Sequence, residues 1–271
     1  MNFVCPKCMA PLSVLPDGRA SCPSGHSYDR SREGYYNLLL GSGRNTHGDN
    51  REMVDARRAF LNTGAYLPLA KRVADAVIER MTHGGVLLDV GCGEGYYTNI
   101  VESRLRESER DGEVMGFDIS KDAVRLAAKL NKNLSLAVAS AYSIPVADAA
   151  CDVVTSLFSP LAREEIHRIL RTGGSFIMAI PGENHLFGLK SAIYSTPYKN
   201  EIQDSSIPGF KLISEERISY NLTLHTQEEV RSLFMMTPYA YRTGREERER
   251  LFLLTHLETE VDFVLFVYEK I

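Results

Sequence analysis

Along the 271-residue chain the apolar positions take up a regular period only from about Arg51 onward. Leu69, Val73, Ala76 and Val77 share one helical face, which predicts a helix running to about Met81. Strand-length apolar runs and helical stripes then alternate. Residues 86–90 read as a short buried strand, and Tyr97, Ile100, Val101 and Leu105 stripe the helix after it. Residues 114–117 form the next strand, and Ser120 caps a helix through about Leu130. Further strands fall at 134–138 and 153–157. A short helix at 163–170 ends at Gly173-Gly174, and 175–180 follow as a strand. This alternation predicts an α/β fold, a doubly wound and mostly parallel sheet covered on both faces. Beyond it, 183–209 read as an insertion and 211–224 as a weakly alternating strand. Thr226 with Glu229 makes a capping box, 245–250 an exposed helix, and 261–268 a final strand.

Residues 1–35 differ in kind. They carry Pro6, Pro11, Pro16 and Pro23, few large aliphatics and no useful period. Such a piece cannot bury enough apolar surface to fold alone. The predicted organisation is therefore a small module at 1–35, a linker and connecting helix at 36–62, and the large domain at 63–271. Residues 36–50, rich in Gly, Ser and Asn, read as linker or mobile loop.

Composition changes this picture little: hydrophobic residues are 44% and charged residues 24%, as in ordinary folded proteins. The formal charge of −4 excludes attraction of nucleic acid by the net field, so any RNA contact needs a local basic patch. The first residues do not read as a signal peptide, and no apolar run approaches the ~20 residues that span a bilayer. A cytoplasmic protein with no membrane partner is expected.

Three of the five cysteines precede residue 23, which favours metal ligands over disulfides. Cys5-Pro6-Lys7-Cys8 and Cys22-Pro23-Ser24-Gly25-His26 form a C-x2-C … C-x3-H set. Three thiolates and one imidazole close a tetrahedral zinc site with no position left for substrate, so one structural zinc is expected. Its binding free energy would become folding free energy for a segment without a core.

The sharpest motif is Leu87-Leu88-Asp89-Val90-Gly91-Cys92-Gly93-Glu94-Gly95, a strand running into a glycine turn that opens a helix. No Gly-Lys-Ser/Thr follows, so it is not a phosphate-cradling Walker loop. The spacing is not G-x-G-x-x-G, and Asp89 suits a pyrophosphate poorly. An acidic residue ahead of G-x-G-x-G suits a cationic, amino-acid-bearing cofactor. The motif resembles the first motif of the class I methyltransferases that use S-adenosylmethionine (SAM). Asp118 stands where that family binds the ribose hydroxyls, Ser140-Ala141 where it borders adenine, and Arg171-Thr172-Gly173-Gly174 at its usual turn before the fifth strand. Cys92 and Cys151 read as small buried residues.

Zinc knuckles and a SAM loop in one chain resemble the bacterial 23S rRNA (guanine-N1)-methyltransferases, the RlmA family. The likeness runs through Glu33-Gly34-Tyr35-Tyr36-Asn37-Leu38-Leu39, Ala56-Arg57-Arg58-Ala59-Phe60-Leu61 and Gly64-Ala65-Tyr66-Leu67-Pro68-Leu69. It continues to Pro181-Gly182-Glu183-Asn184-His185-Leu186 and Met236-Thr237-Pro238-Tyr239. The resemblance implies cofactor contacts from Tyr66, Gly93, Glu94 and His185, with Asp89, Gly91, Gly95, Asp118, Ser140 and Ala141 completing the set. It implies a zinc module that helps recognise RNA, and a target at N1 of a guanine in a hairpin loop of domain II of 23S rRNA, with no DNA partner. Two other readings compete: a small-molecule SAM-dependent methyltransferase, and a SAM-sensing zinc RNA-binding protein without catalysis. The intact Asp89, Gly91, Gly93, Gly95 and Asp118 disfavour the second; the zinc module disfavours the first. A homodimer is left open.

Candidate RNA cations are Arg30, Arg32, Arg44, Arg51, Arg57, Arg58, Arg242 and Arg245, with Tyr35, Tyr36, Tyr239 and Tyr241 as stacking surfaces. Arg57-Arg58 is favoured among them, because its helix lies between the two modules. Ser159-Pro160, after the fourth strand, is expected to shape the wall of the base pocket. No residue stands out as the proton acceptor.

Overall fold

A computed structural model describes residues 2–41, 48–201 and 204–271; Arg44 lies outside these. The chain opens with three two-residue strands, β1 (Ser13–Val14), β2 (Ala20–Ser21) and β3 (Ser27–Tyr28), paired antiparallel in that order. There follow β4 (Tyr36–Asn37), α1 (Arg51–Leu61), α2 (Leu67–Arg80), β5 (Gly85–Val90), α3 (Tyr96–Glu107), β6 (Gly112–Asp118), α4 (Lys121–Leu130) and β7 (Ser135–Val138). The second half holds β8 (Cys151–Leu157), α5 (Arg163–Ile169), β9 (Leu170–Pro181), α6 (Phe187–Ile193), β10 (Phe210–Leu224), α7 (Gln227–Met235), a 3-10 turn (Pro238–Tyr241), α8 (Arg245–Phe252) and β11 (Leu257–Lys270).

One eight-stranded sheet runs in the order β10-β11-β9-β8-β5-β6-β7-β4. It is parallel from β9 through β4, while β11 runs antiparallel to both β9 and β10. The period-2 alternation of the strands sorts the core into two layers. Leu87, Val153, Ile177 and Ala179 face one layer with Val73, Val77, Val101 and Val124 of α2, α3 and α4. Leu88, Val90, Val154, Phe176 and Met178 face the other with Ile166 and Ile169 of α5. The sheet order reverses between β5 and β8, and the crevice outside their carboxyl ends is where open α/β sheets bind ligands. No helix among the described residues is long and apolar enough to cross a membrane.

Two local readings of the sequence need correction. Tyr36–Asn37 is not linker: it pairs parallel with β7, Tyr36 to Ala137 and Asn37 to Val138, and becomes the sheet's edge strand. The segment 171–174 is not a turn outside the strand but a bulge within β9, set by Gly173 at φ +71°. The insertion after β9 holds the short helix α6.

The zinc-type module is not a separate bead. Phe3, Leu12 and Ala20 share a core layer with Val90 and Phe117. Phe3 bridges Val146, and the amide of Val4 donates to Pro145 at 2.9 Å. Tyr35 and Tyr36, named as stacking surfaces, are buried at 4% and 5% exposure. The Tyr36 hydroxyl donates to the Gly18 carbonyl at 2.9 Å. These two rings join the module to the sheet and face no RNA.

Candidate cofactor and metal sites

The metal site is built by two tight turns. The amides of Cys8 and Met9 donate to the Cys5 carbonyl, and that of Gly25 to the Cys22 carbonyl, so each knuckle aims two donors inward. The donor atoms of Cys5, Cys8, Cys22 and His26 all lie within 4.8 Å of one another. Cys8 and Cys22 sulfurs are 3.7 Å apart, and the His26 Nδ1 is 3.4 Å from both Cys5 and Cys22. A tetrahedral zinc with Zn–S near 2.3 Å needs its sulfurs about 3.8 Å apart, so this donor set fits the ion. The Tyr28 hydroxyl lies 3.2 Å from the Cys5 sulfur, a second contact that would orient this ligand.

The glycine loop follows from β5 and β6. Gly91 and Cys92 both donate to the Phe117 carbonyl at 2.9 Å, folding the chain back over the end of β6. Two of its glycines are needed for different reasons. A Cβ on Gly91 (φ +74°) would stand 2.6 Å from the Ser159 Cβ, so this turn is shut against the β8 loop. A Cβ on Gly93 (φ +56°) would meet nothing within 4 Å. Gly93 therefore borders open space at the mouth of the crevice, the kind of cradle a ligand backbone approach requires.

Four carboxylates surround this loop. Asp89 is 4% exposed and lies beneath it, accepting from Thr98 Oγ1 at 2.5 Å and from Thr155 Oγ1 at 2.8 Å. Burial pushes its carboxyl up to about 6. With both oxygens engaged, Asp89 braces the loop from below. Asp118, ending β6, accepts from the amides of Gly93 at 3.0 Å and Ser120 at 2.7 Å, and burial raises it too. Glu94 is 5% exposed, and its Oε1 has no hydrogen-bond partner among the described residues. Burial raises the Glu94 carboxyl, and the Arg57 guanidinium pulls it back down. An orphaned, buried carboxylate oxygen beside an open glycine fits a cationic ligand group. Asp49, the fourth, is ion-paired with Arg57.

Tyr66 and His185, 119 residues apart, meet across the crevice: the hydroxyl and Nε2 are 3.5 Å apart. His185 Nδ1 accepts the Asp262 amide at 3.3 Å, which leaves the proton on Nε2, toward Tyr66. Burial holds His185 down at about 3, so the ring is neutral. The Phe263 ring packs edge-on against Tyr66 at 4.9 Å and tilted against His185 at 4.6 Å. Ser140 and Ala141 follow β7, half-buried, with Ser140 Oγ accepting the Tyr142 amide at 3.2 Å. Ser159 is tied to the loop, its hydroxyl donating to the Val90 carbonyl at 2.9 Å.

A family model described as "RlmA, N-terminal" matches residues 3–40, and one described as "Methyltransferase domain" matches residues 82–234. The 23S rRNA (guanine(748)-N(1))-methyltransferase of Streptomyces fradiae is 33% identical over 227 residues, 81% of this chain and 79% of that protein. The chain belongs to the 23S rRNA (guanine-N1)-methyltransferase family. A second relative, from Micromonospora griseorubida and provisionally named for the same activity, is 31% identical over 88% of this chain and 86% of its own. Among solved structures, the YcgJ protein of Bacillus subtilis is 16% identical with a TM-score of 0.46, covering 74% of this chain and 98% of that one. The methyltransferase uses SAM and carries a structural zinc.

Two features of this methyltransferase escape sequence reasoning. Phe158 sits at φ +60°, 42% exposed at the end of β8, its ring 5.1 Å from Phe263 and 6.3 Å from Tyr97. Left-handed backbone is a steric penalty for a phenylalanine, and nothing in the pattern announces it. The hydroxyl of Tyr97, a residue read as part of the helix stripe, is buried beside Phe158 with no hydrogen-bond partner among the described residues.

Proposed function

We propose that this enzyme transfers the methyl group of SAM to N1 of a guanine in 23S rRNA, within a hairpin loop of domain II. The observation that carries the reading is family membership spanning zinc ribbon and methyltransferase domain in one chain. In this reading Cys5, Cys8, Cys22 and His26 hold the zinc. Gly93 gives the cofactor its close backbone approach, Glu94 takes its ammonium, and Asp118 its ribose hydroxyls. Ser140 and Ala141 border adenine. Tyr66 and His185 wall the methionine side; Gly91, Gly95 and Asp89 keep the loop in shape. The module at 1–35 contacts RNA, 36–62 connect it, and 63–271 carry the chemistry.

Bound SAM supplies a methyl group already activated by its sulfonium. The chain's task is alignment of nucleophile, methyl and sulfur, and exclusion of water. The Phe158 ring, exposed at the switch point, offers the guanine a stacking face, with Ser159 as the wall beside it. The His185 ring, neutral and hydrogen-bonded, lines the site without adding positive charge beside the sulfonium.

The test is transfer of labelled methyl to 23S rRNA from cells lacking the gene, with primer extension to locate it. N1-methylguanine blocks the Watson–Crick edge, so a new stop in the domain II hairpin is expected, and its position names the guanine. Label without a stop would place the methyl on another atom. No incorporation into free or particle-bound rRNA would overturn the rRNA reading. Gel filtration of the same protein tells monomer from homodimer.

A further inference from the structure

Its position on a helix between the two modules marked Arg57 as an RNA contact, but the structure places it over the cofactor crevice. The amide of Met53 donates to the Asn50 side chain at 3.0 Å, starting α1 there. The residues just ahead lie across the end of β6: a Cβ on Gly48 would stand 2.7 Å from the Ile119 side chain, and the Ser120 hydroxyl donates to the Asp49 carbonyl at 2.8 Å. Ser120 in turn holds Asp118 through its amide. Arg57 is ion-paired with Asp49, and its side chain is 28% exposed. Arg58, one position on and about 100° around the helix, is exposed to solvent.

The charges at this spot do not balance. Asp49, Glu94 and Asp118 crowd the crevice, and Arg57 is the cation that acts on both Glu94 and Asp118. SAM brings two positive centres, sulfonium and ammonium, and one negative, its α-carboxylate. The positive centres suit the carboxylates, above all the orphaned Glu94 oxygen. The cofactor's own carboxylate would be repelled by all three unless a cation receives it. We infer that Arg57 is a further cofactor-binding residue, leaving Asp49 to take the α-carboxylate of SAM as Glu94 takes the ammonium. The inference rests on the SAM site proposed above.

Calorimetric titration of SAM and of decarboxylated SAM into wild type, Arg57→Gln and Arg57→Lys tests this. Wild type should prefer SAM over the decarboxylated analogue, and Arg57→Gln should weaken SAM by about 10- to 100-fold. The decarboxylated analogue should change by less than about threefold, so that the preference collapses in Arg57→Gln and returns in part in Arg57→Lys. Equal weakening of both ligands would make Arg57 a purely structural residue and overturn the inference. Unchanged SAM affinity would overturn it equally. A wild type that binds neither ligand would instead overturn the SAM site itself, and melting curves of each variant identify one that fails to fold.

Discussion

At the scale of single residues, the site is a group of acids held above their ordinary range beside a histidine held below it. Burial raises Asp89 to about 6 and lifts Glu94 and Asp118, whereas His185 is depressed to about 3. A cationic ligand binds best to the deprotonated acids, so acidification through the raised values makes the ligand compete with protons. Affinity for SAM should therefore fall as the pH is lowered from about 7.5 toward the ordinary carboxylate range, as Glu94 and Asp118, both raised by burial, take up protons. His185 contributes nothing to this fall, being neutral throughout. Calorimetry across that range, with the His185 ring signals followed by NMR, checks both halves. Affinity that rises with acid, or a His185 signal that titrates near 6.5, would contradict the arrangement. The glycines were legible from spacing along one strand-turn-helix unit, and Asp118, at the end of the next strand, only through the resemblance. The unpaired state of Glu94 Oε1 was not, because it depends on what α1 brings over the loop.

At the scale of elements, the informative piece is the edge strand β4. It joins the metal module to β7, and the loop after β7 carries Ser140 and Ala141 before meeting Phe3 at Val146. Stripping zinc should therefore loosen more than the knuckles. With a chelator, or in Cys22→Ser, hydrogen exchange should speed up over residues 2–38 and also over 135–146. The melting temperature should drop by about 5 °C, the effect of about 2 kcal/mol in a chain of this size. Faster exchange confined to 2–35 would show that the module is an independent bead after all. The helices and parallel strands were readable because each is a complete period of apolar residues: α2 through Val73 and Val77, β5 through Leu87 and Leu88. β4 was not. Two residues make no period, and Tyr36–Asn37 becomes a strand only because β7 offers an open edge. For the same reason the bulge in β9 was read as a turn: Gly173-Gly174 signals a break, and only the pairing with β8 shows that the strand absorbs it.

At the scale of the whole molecule, a chain of net charge −4 has to attract a polyanion through a few local cations. Arg57 belongs to the cofactor crevice, and Arg51 and Arg245 already face Asp55 at 3.5 Å and Glu249 at 2.7 Å in exposed pairs. A phosphate reaching those two must compete with a carboxylate on the same helix. Arg30, Arg32, Arg58 and Arg242 are exposed and make no ion pair among the described residues. If these four carry the phosphate contacts to an unpaired loop, the plot of log affinity against log salt should have a slope of about −3, at about −0.7 for each phosphate. Arg58→Ala should weaken binding regardless of sequence and make the slope shallower by about 0.7, whereas Arg57→Gln should leave the slope unchanged. Filter binding of a domain II hairpin RNA between about 50 and 200 mM salt reads all three slopes. A wild-type slope steeper than about −6 would mean a basic surface much larger than this one, as when two chains share one RNA. A slope that shifts with Arg57 and not with Arg58 would return Arg57 to the RNA face and take it from the cofactor.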